Sequence, residues 1–464
     1  MDALKMQEYL TSARPFAMIK SKEAGKMKIP ENIKHVLARL SGAGYEACLV
    51  GGCVRDYYMG RLPHDFDLAT SAPPEAVAAL FKEMGVVETG LRHGTVTVLA
   101  GGEPVEVTTF RRECGYSDFR RPDAVFFTPS LSEDLARRDF TMNAIALSAN
   151  GEVQDPFGGR ADIAAGLIRC VGDPERRFSE DALRILRALR FAAVLGFYIE
   201  PETAEALYRH RELLRKIAPE RIFSELCGLL SGRAAGSVLL TYREVLGAAV
   251  PELAVLFSCP QNTPYHCFDV WEHTCRVVDE TPPVRSLRLA ALLHDLGKPA
   301  ARKTDAQGID HFKGHADLSA RLAGETLFRL RADRALQRAV CTLILEHDHV
   351  AAPERVQVHR LLATLGEALF FDLIALQRAD DRGKNPKNRR GEAWFDRLEA
   401  LGHTLLEEGA CLTLKDLAVS GEDLLALGFR GPALGQALRM LLAQVTAEVL
   451  PNEKKALINY LKNK

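Results

Sequence analysis

Two aspartates one residue apart, Asp65 and Asp67, follow a glycine pair, Gly51-Gly52, and a nearby Arg55. No other stretch restricts the fold of this chain as tightly. The residues around the pair, His64 to Ala69, alternate in character and predict a short strand. Side chains on a strand repeat with a period of two, so Asp65 and Asp67 share one face while Phe66 and Leu68 share the other. Two carboxylates that close repel each other unless a cation sits between them. Mg²⁺ takes oxygen ligands, commonly a few carboxylates plus substrate phosphates. The pattern favours phosphoryl or nucleotidyl transfer.

A third acid follows in a predicted hairpin. Residues 93–99 and 105–110 are β-rich, and Gly101-Gly102 supplies the turn. Val105 and Val107 share a face, so Glu106 projects from the other. If that face adjoins the strand of Asp65 and Asp67, three acids converge and can hold two metals. Upstream, Ala47–Val50 reads as a strand that runs through Gly51-Gly52 into a helix at Val54–Tyr57. Small residues at such a turn let backbone N–H groups approach a phosphate, with Arg55 as countercharge. Gly52 and Arg55 are therefore nucleotide-binding candidates.

Phe178 to Phe191 carries a helical pattern with Leu183, Ile185, Leu186 and Leu189 mostly on one side. Asp181 and Arg184 are neighbours on such a helix and offer acceptors and a rigid fork of donors to one base edge. Arg187 and Arg190 continue the row toward phosphates. From spacing alone, an exposed acid–base pair that steadies a helix fits equally well. Arg111–Asp123, polar and containing glycine and proline, reads as a loop.

With these residues in place, the chain resembles the class II tRNA nucleotidyltransferases, the CCA-adding enzymes and their poly(A) polymerase relatives. Arg137-Arg138-Asp139-Phe140-Thr141-Met142-Asn143-Ala144 looks like the family's triphosphate- and ribose-binding segment. Asp155-Pro156-Phe157-Gly158-Gly159 looks like its head-to-neck linker, Glu180-Asp181-Ala182-Leu183-Arg184 like its nucleotide-selecting motif, and Glu220-Arg221 to Glu225 like a motif bracing the neck. Order and spacing hold over roughly residues 45–230. The resemblance implies Asp65, Asp67 and Glu106 as catalytic acids holding Mg²⁺. It assigns phosphate to Arg138, ribose to Asp139, and base selection, for CTP and then ATP, to Asp181 and Arg184. The 111–123 loop matches the family's flexible loop, tied to the switch from C to A addition.

A second constellation lies between Pro264 and Asp381. His273 falls on a helix over Val270–Glu280, His294-Asp295 ends an apolar helix, His315 follows a glycine, His347 caps a helical run and Asp380 ends another. Imidazole and carboxylate suit first-row divalent metals, and helices present such ligands inward from a bundle. Leu292-Leu293-His294-Asp295-Leu296-Gly297-Lys298-Pro299 resembles the HD-domain phosphohydrolases. That resemblance implies a divalent transition metal on His273, His294, Asp295 and Asp380, with His315 and His347 for a second ion; Asp381 is an alternative to Asp380.

The chain has 464 residues, 47% of them hydrophobic, enough for several cores. Its formal net charge of −1 excludes a generic polycation, so RNA contact must come from local patches. The densest is Arg382–Arg390, equally readable as a solvated charge run. No apolar run reaches membrane-spanning length, and ten scattered cysteines without a C-x-x-C pair suggest reduced thiols in the cytoplasm.

These readings predict a multidomain α+β protein. Residues 1–30 form a leader, 31–165 a polymerase-β-like nucleotidyltransferase head with a small mixed sheet, and 166–235 an all-α neck. An HD-bearing body spans 236–395 and a helical, tRNA-binding tail 396–464. The expected activity is template-independent addition of CCA to the 3′ end of tRNA from CTP and ATP, with a second phosphohydrolase activity in the HD region. The rivals are an A-adding enzyme or poly(A) polymerase and, from another class, an HD phosphohydrolase whose head recruits RNA.

Overall fold

The computed structural model describes residues 27–463 apart from His64, Thr89 and residues 116–123. Most of the expected leader, residues 1–26, lies outside the described residues. The chain divides into two compact units. One runs to Ala234 and takes in Thr241–Pro251; the other comprises Ala235–Leu240 and Glu252–Lys464.

The first unit is built on a seven-stranded mixed sheet. Its strands are β1 (Ala47–Val50), β2 (Asp67–Thr70), β3 (Val86–Val87), β4 (Thr95–Ala100), β5 (Glu103–Thr109), β8 (Ala146–Ser148) and β9 (Val153–Gln154), in the order β3-β4-β5-β2-β1-β8-β9. All four residues of β1 are buried, as a central strand covered on both faces requires. The helix Glu31–Gly42 supplies one cover through Ile33, Val36, Leu37 and Leu40, the i, i+3, i+4, i+7 stripe of an amphipathic helix. Cys48, Val50 and Ala69 join Phe110, Leu131, Leu135 and Ala146 in one core cluster. Gly101 and Gly102, at φ +66° and +86°, make the tight β4–β5 turn that their sequence predicts.

Three expectations need correction. Asp65 and Phe66 precede β2 rather than lying in it; the strand begins at Asp67. The 111–123 stretch is not wholly loop, because β6 (Arg111–Cys114) pairs antiparallel with β7 (Ala124–Phe127), and only residues 116–123 lie outside the described residues. Phe178–Phe191 is not one helix. Pro174–Glu180 and Leu183–Leu195 are separate, and Asp181 between them is extended at φ −135°, ψ 102°. Its carboxylate accepts from Leu183 N at 3.0 Å, the local competition with helix hydrogen bonding that aspartate brings.

The helix Leu183–Leu195 packs against Pro219–Leu230. At Gly228 an added Cβ would fall 2.5 Å from Arg190 Cδ, so glycine allows the close approach. The second unit is helical apart from one two-stranded ribbon, Lys303–Thr304 with Asp310–His311. Its bundle comprises Val270–Glu280, Arg285–Leu293, His315–Arg329, Arg334–Glu346 and Glu367–Gly383. Two further apolar clusters follow toward the C-terminus, one around Phe370 and Phe395, the other around Leu424 and Leu441. Among the described residues no helix is long and apolar enough to cross a membrane.

Candidate active site and metal centre

β1 ends at Val50, opposite Asp67, and the chain turns at Gly51 into the helix Gly52–Tyr58. Gly51 has φ +75°, and a Cβ there would meet Arg138 Nη1 at 3.2 Å and Asp67 Oδ2 at 3.5 Å. Only glycine gives both the conformation and the clearance. β2 runs parallel to β5 with Leu68 beside Val107, both buried. One residue earlier on each strand, Asp67 and Glu106 share the opposite, exposed face, as the alternation predicts. The crowding of protein around the Asp67 carboxylate raises its pKa; Arg138 pulls the other way, and the charge of Asp65 adds to the rise. Among the described residues, Asp65, Asp67 and Glu106 do not form a group with ligand atoms all within 4.8 Å of one another.

Beside them opens a cleft of about 510 Å³. Gly51, Gly52, Arg55, Asp67, Arg138, Asp139, Asp181, Arg184, Arg187 and Arg190 all line it, which unites most of the sequence-predicted head residues; Asp65 and Glu106 are not among its walls. Arg137, Asn143, Phe191 and Arg221 line it too, and the sequence reading gave them no separate role. Arg137, Asn143 and Arg221 stand inside the family-like segments and Phe191 closes the helical pattern of 178–191, which was the signal available. Arg55 donates to Asn143 Oδ1 at 3.0 Å and pairs with Asp56 at 2.9 Å. Asp139 accepts from Asn143 Nδ2, from Phe140 N and from two nitrogens of Arg187 at 2.8 and 2.6 Å. Burial alone would raise its pKa, but Arg187 and these hydrogen bonds lower it to about 2.

Arg184 N donates to the Asp181 carbonyl at 3.0 Å, but their side chains take other partners. Asp181 Oδ2 accepts from Arg221 Nη2 at 3.3 Å, and Arg184 Nη1 donates to Glu180 Oε2 at 3.0 Å while its Nη2 reaches the Arg137 carbonyl at 3.0 Å. Each is thus oriented by its own partner, the acid from the extended link between two helices and the base from the second helix. Arg137 also bonds Glu113 of β6, at 3.2 Å.

In the second unit the expected histidines and aspartates converge in two groups, His273–His294–Asp295 and Asp295–His315–His347, with ligand atoms within 4.8 Å of one another in each. His273 Nε2 lies 3.0 Å from Asp380 Oδ1 and 3.7 Å from Asp295 Oδ2; His294 Nε2 lies 3.2 Å from Asp295 Oδ2. His315 Nε2 is 3.5 Å from Asp295 Oδ1 and 3.2 Å from His347 Nε2. All four Nδ1 atoms face backbone carbonyls, of Gly383, Ala291, Phe312 and Ile344. That arrangement fixes the tautomer and turns every Nε2 inward. Asp295 is fully buried; its Oδ2 lies 2.7 Å from Lys298 Nζ, while its Oδ1 is left without a hydrogen-bond partner. Burial would raise its pKa, but His294 and Lys298 hold it well below the usual range, while Asp295 pushes His294 up despite burial. This donor set, imidazole plus carboxylate around a common centre, fits divalent metal ions.

Of the adjacent pair, Asp380 faces this centre. Asp381 instead accepts from the backbone N–H groups of Arg390 and Gly391 at 3.0 and 3.1 Å. The helix carrying both runs on to Gly383 rather than ending at Ala379. The basic stretch 382–390 has structural work: Arg382 pairs with Glu392 and Glu280, and Arg389 donates to the carbonyls of Lys384 and Arg382.

Residues 47–169 match the Poly A polymerase head domain, residues 196–255 the "Probable RNA and SrmB-binding site of polymerase A", and residues 263–381 the HD domain. A CCA-adding enzyme of Levilactobacillus brevis is 38% identical over 443 residues, which cover 92% of this chain and 96% of that protein. One of Latilactobacillus sakei is 36% identical, again over 92% of this chain and 96% of the relative. Among solved structures, the Bacillus stearothermophilus CCA-adding enzyme in complex with CTP superposes with a TM-score of 0.73 at 31% identity, covering 94% of this chain and 98% of that one. The Thermotoga maritima CCA-adding enzyme complexed with tRNA_CCA, at 19% identity and a TM-score of 0.58 over 94% of this chain and 97% of that one, shares the fold.

Proposed function

This chain belongs to the CCA-adding enzyme family, and from that premise we propose that it adds C, C and A, taken from CTP and ATP, to the 3′ end of tRNA. The observation that carries the reading is the arginine-rich cleft beside Asp67, in a chain that matches its relatives along nearly their whole length. Polyphosphate seats among Arg55, Arg138, Arg187 and Arg190, and Gly51-Gly52 leave room for it. Asp139, fixed by Arg187 and Asn143, receives the ribose. Asp181 and Arg184 select the base, so protein side chains replace a template. Asp65, Asp67 and Glu106 would hold Mg²⁺, whose chemistry when bound is to activate the attacking 3′-hydroxyl and steady the leaving pyrophosphate. The functional parts follow a head over 31–165, a neck over 166–235, an HD body over 236–395 and a tail over 396–464 that grips tRNA. We place the protein in the cytoplasm, since the described cysteines are free thiols.

The test is to incubate the protein with tRNA ending at its discriminator base and labelled CTP and ATP, separately and together. Two C additions with CTP alone, then A with both, are expected. Incorporation of A alone onto tRNA ending in CC would mark an A-adding enzyme, and unlimited A addition a poly(A) polymerase.

The inward-facing Nε2 atoms favour a second reading beside the first. His273, His294, Asp295 and Asp380 would hold a divalent transition metal, and His315 and His347 a second ion, for hydrolysis of phosphate esters such as 2′,3′-cyclic nucleotides. Metal analysis of the purified protein, then assays after stripping and restoring single metals, decides this. A protein that binds no transition metal and cleaves no ester has an HD bundle that only grips tRNA.

A further inference from the structure

Three arginines of the cleft converge on one aromatic ring. The guanidinium carbon of Arg190 lies 4.8 Å from the centroid of Phe191, that of Arg55 5.3 Å and that of Arg187 5.4 Å. Arg187 and Arg190 rise from the same helix as Phe191, whereas Arg55 comes from the helix that follows the glycine turn. Phe191 is itself buried and braced edge-on by Phe140, with ring centroids 5.9 Å apart at 87°. Each guanidinium is also tied to a different acid: Arg55 to Asp56, Arg187 to Asp139 and Arg190 to Glu225.

Three like charges gathered in so small a volume repel one another; burial lowers the pKa of Arg190, Glu225 opposes that, and Arg187 and Arg55 add to the lowering. The negative face of an aromatic ring attracts cations and offsets part of that repulsion. The salt-bridged acids are three different residues, whereas the ring is common to all three guanidiniums.

We propose that Phe191 is a positioning residue for the nucleotide's polyphosphate, gathering Arg55, Arg187 and Arg190 into one cationic wall. The inference rests on reading the cleft as the nucleotide site. It separates two tasks: Phe191 sets the grip on phosphate regardless of base, while Asp181 and Arg184 choose the base.

The experiment compares Phe191→Leu, Phe191→Met, which keeps volume without a ring, and Phe191→Tyr, which restores the ring. KM and kcat are measured for CTP and for ATP, together with the inhibition constant of inorganic tripolyphosphate, a probe with no base or ribose. The Leu and Met variants should raise both KM values and the tripolyphosphate constant by one common factor, about tenfold for a loss of cation–π attraction at several guanidiniums. kcat and the CTP-to-ATP preference should stay put, and the Tyr variant should recover the original values. Folded Leu and Met variants with unchanged affinities overturn the proposal. So does an altered CTP-to-ATP preference with tripolyphosphate unaffected, because the ring would then be reading the base. A fall in kcat at constant KM overturns it too, and if both variants fail to fold while the Tyr variant folds, the ring belongs to the core alone. If the unaltered protein does not bind tripolyphosphate, the fault lies instead with the reading of the cleft.

Discussion

The head cleft and the HD centre answer the same demand, holding cations beside acids, in opposite ways. In the head, Asp67 and Glu106 stand on an exposed strand face, and the charge nearby is guanidinium lining an open cleft. In the HD centre every ligand is buried, the donors are imidazole nitrogens and carboxylates, and the cations at hand are Lys298 on Asp295 and Lys384 on Asp380. The first suits an ion that arrives with its substrate's phosphates, the second an ion that stays with the protein. On the proposed reading, one chain would hold two kinds of metal site, oxygen-only and nitrogen-rich, that favour different ions.

Asp67→Asn tests the contrast most severely. It should lower both C and A addition by about three powers of ten, several kcal/mol of lost charge stabilisation, and leave the metal content of the HD centre unchanged. Single-turnover extension with metal analysis of the same sample reads both. An equal loss at both places would collapse the distinction. The reciprocal double variant, His294→Ala with Asp295→Ala, should weaken transition-metal binding by about two powers of ten or more, while CCA addition stays within about twofold. Loss of addition in the folded double variant would show the two regions to be coupled.

Acid titration separates them on a smaller scale. Asp139 has its folded pKa lowered to about 2 from an ordinary 3.8. Its contribution of about 2 kcal/mol is therefore complete above pH ~4 and disappears as the pH falls toward 2. The stability gap between the unaltered protein and Asp139→Asn, measured by denaturant unfolding, should close over that window. A gap that persists at pH 2 would mean that Arg187 does not stabilise the charged form. The smallest effect concerns base choice. Glu180→Gln removes a charged partner of Arg184 and should relax discrimination between CTP or ATP and the other nucleotides by about fivefold, roughly 1 kcal/mol, with overall affinity held. Undiminished selectivity would mean that Arg184 is held in place without Glu180, its donations to the Arg177 carbonyl at 3.1 Å and the Arg137 carbonyl at 3.0 Å being sufficient.

Much of this was legible in the sequence because it was periodic or local. The alternation Leu68/Asp67 and Val107/Glu106 announced which face the acids take, and the Gly101-Gly102 turn announced the hairpin. What failed was local as well, but depended on competition. Nothing in the apolar stripe of Phe178–Phe191 tells that Asp181 spends its carboxylate on Leu183 N and breaks the helix there. Which of Asp380 and Asp381 turns inward could not be read either, since both sit in one helical turn; the loop after the helix settles it by offering Asp381 two N–H groups. Partnerships across long sequence distance, Arg221 with Asp181 or Arg55 with Asn143, have no periodicity to betray them.

The four carbonyls behind the HD histidines have a consequence for reversibility. Rings already turned and held lose little conformational freedom when an ion arrives, so filling the centre carries a small ordering penalty. Emptying it likewise leaves a bundle whose apolar contacts are untouched. Small zinc-dependent domains, by contrast, unfold when stripped. On the metal-binding reading, a centre preorganised in this way would be emptied by a chelator and refilled with a different ion while the rest of the molecule keeps its shape.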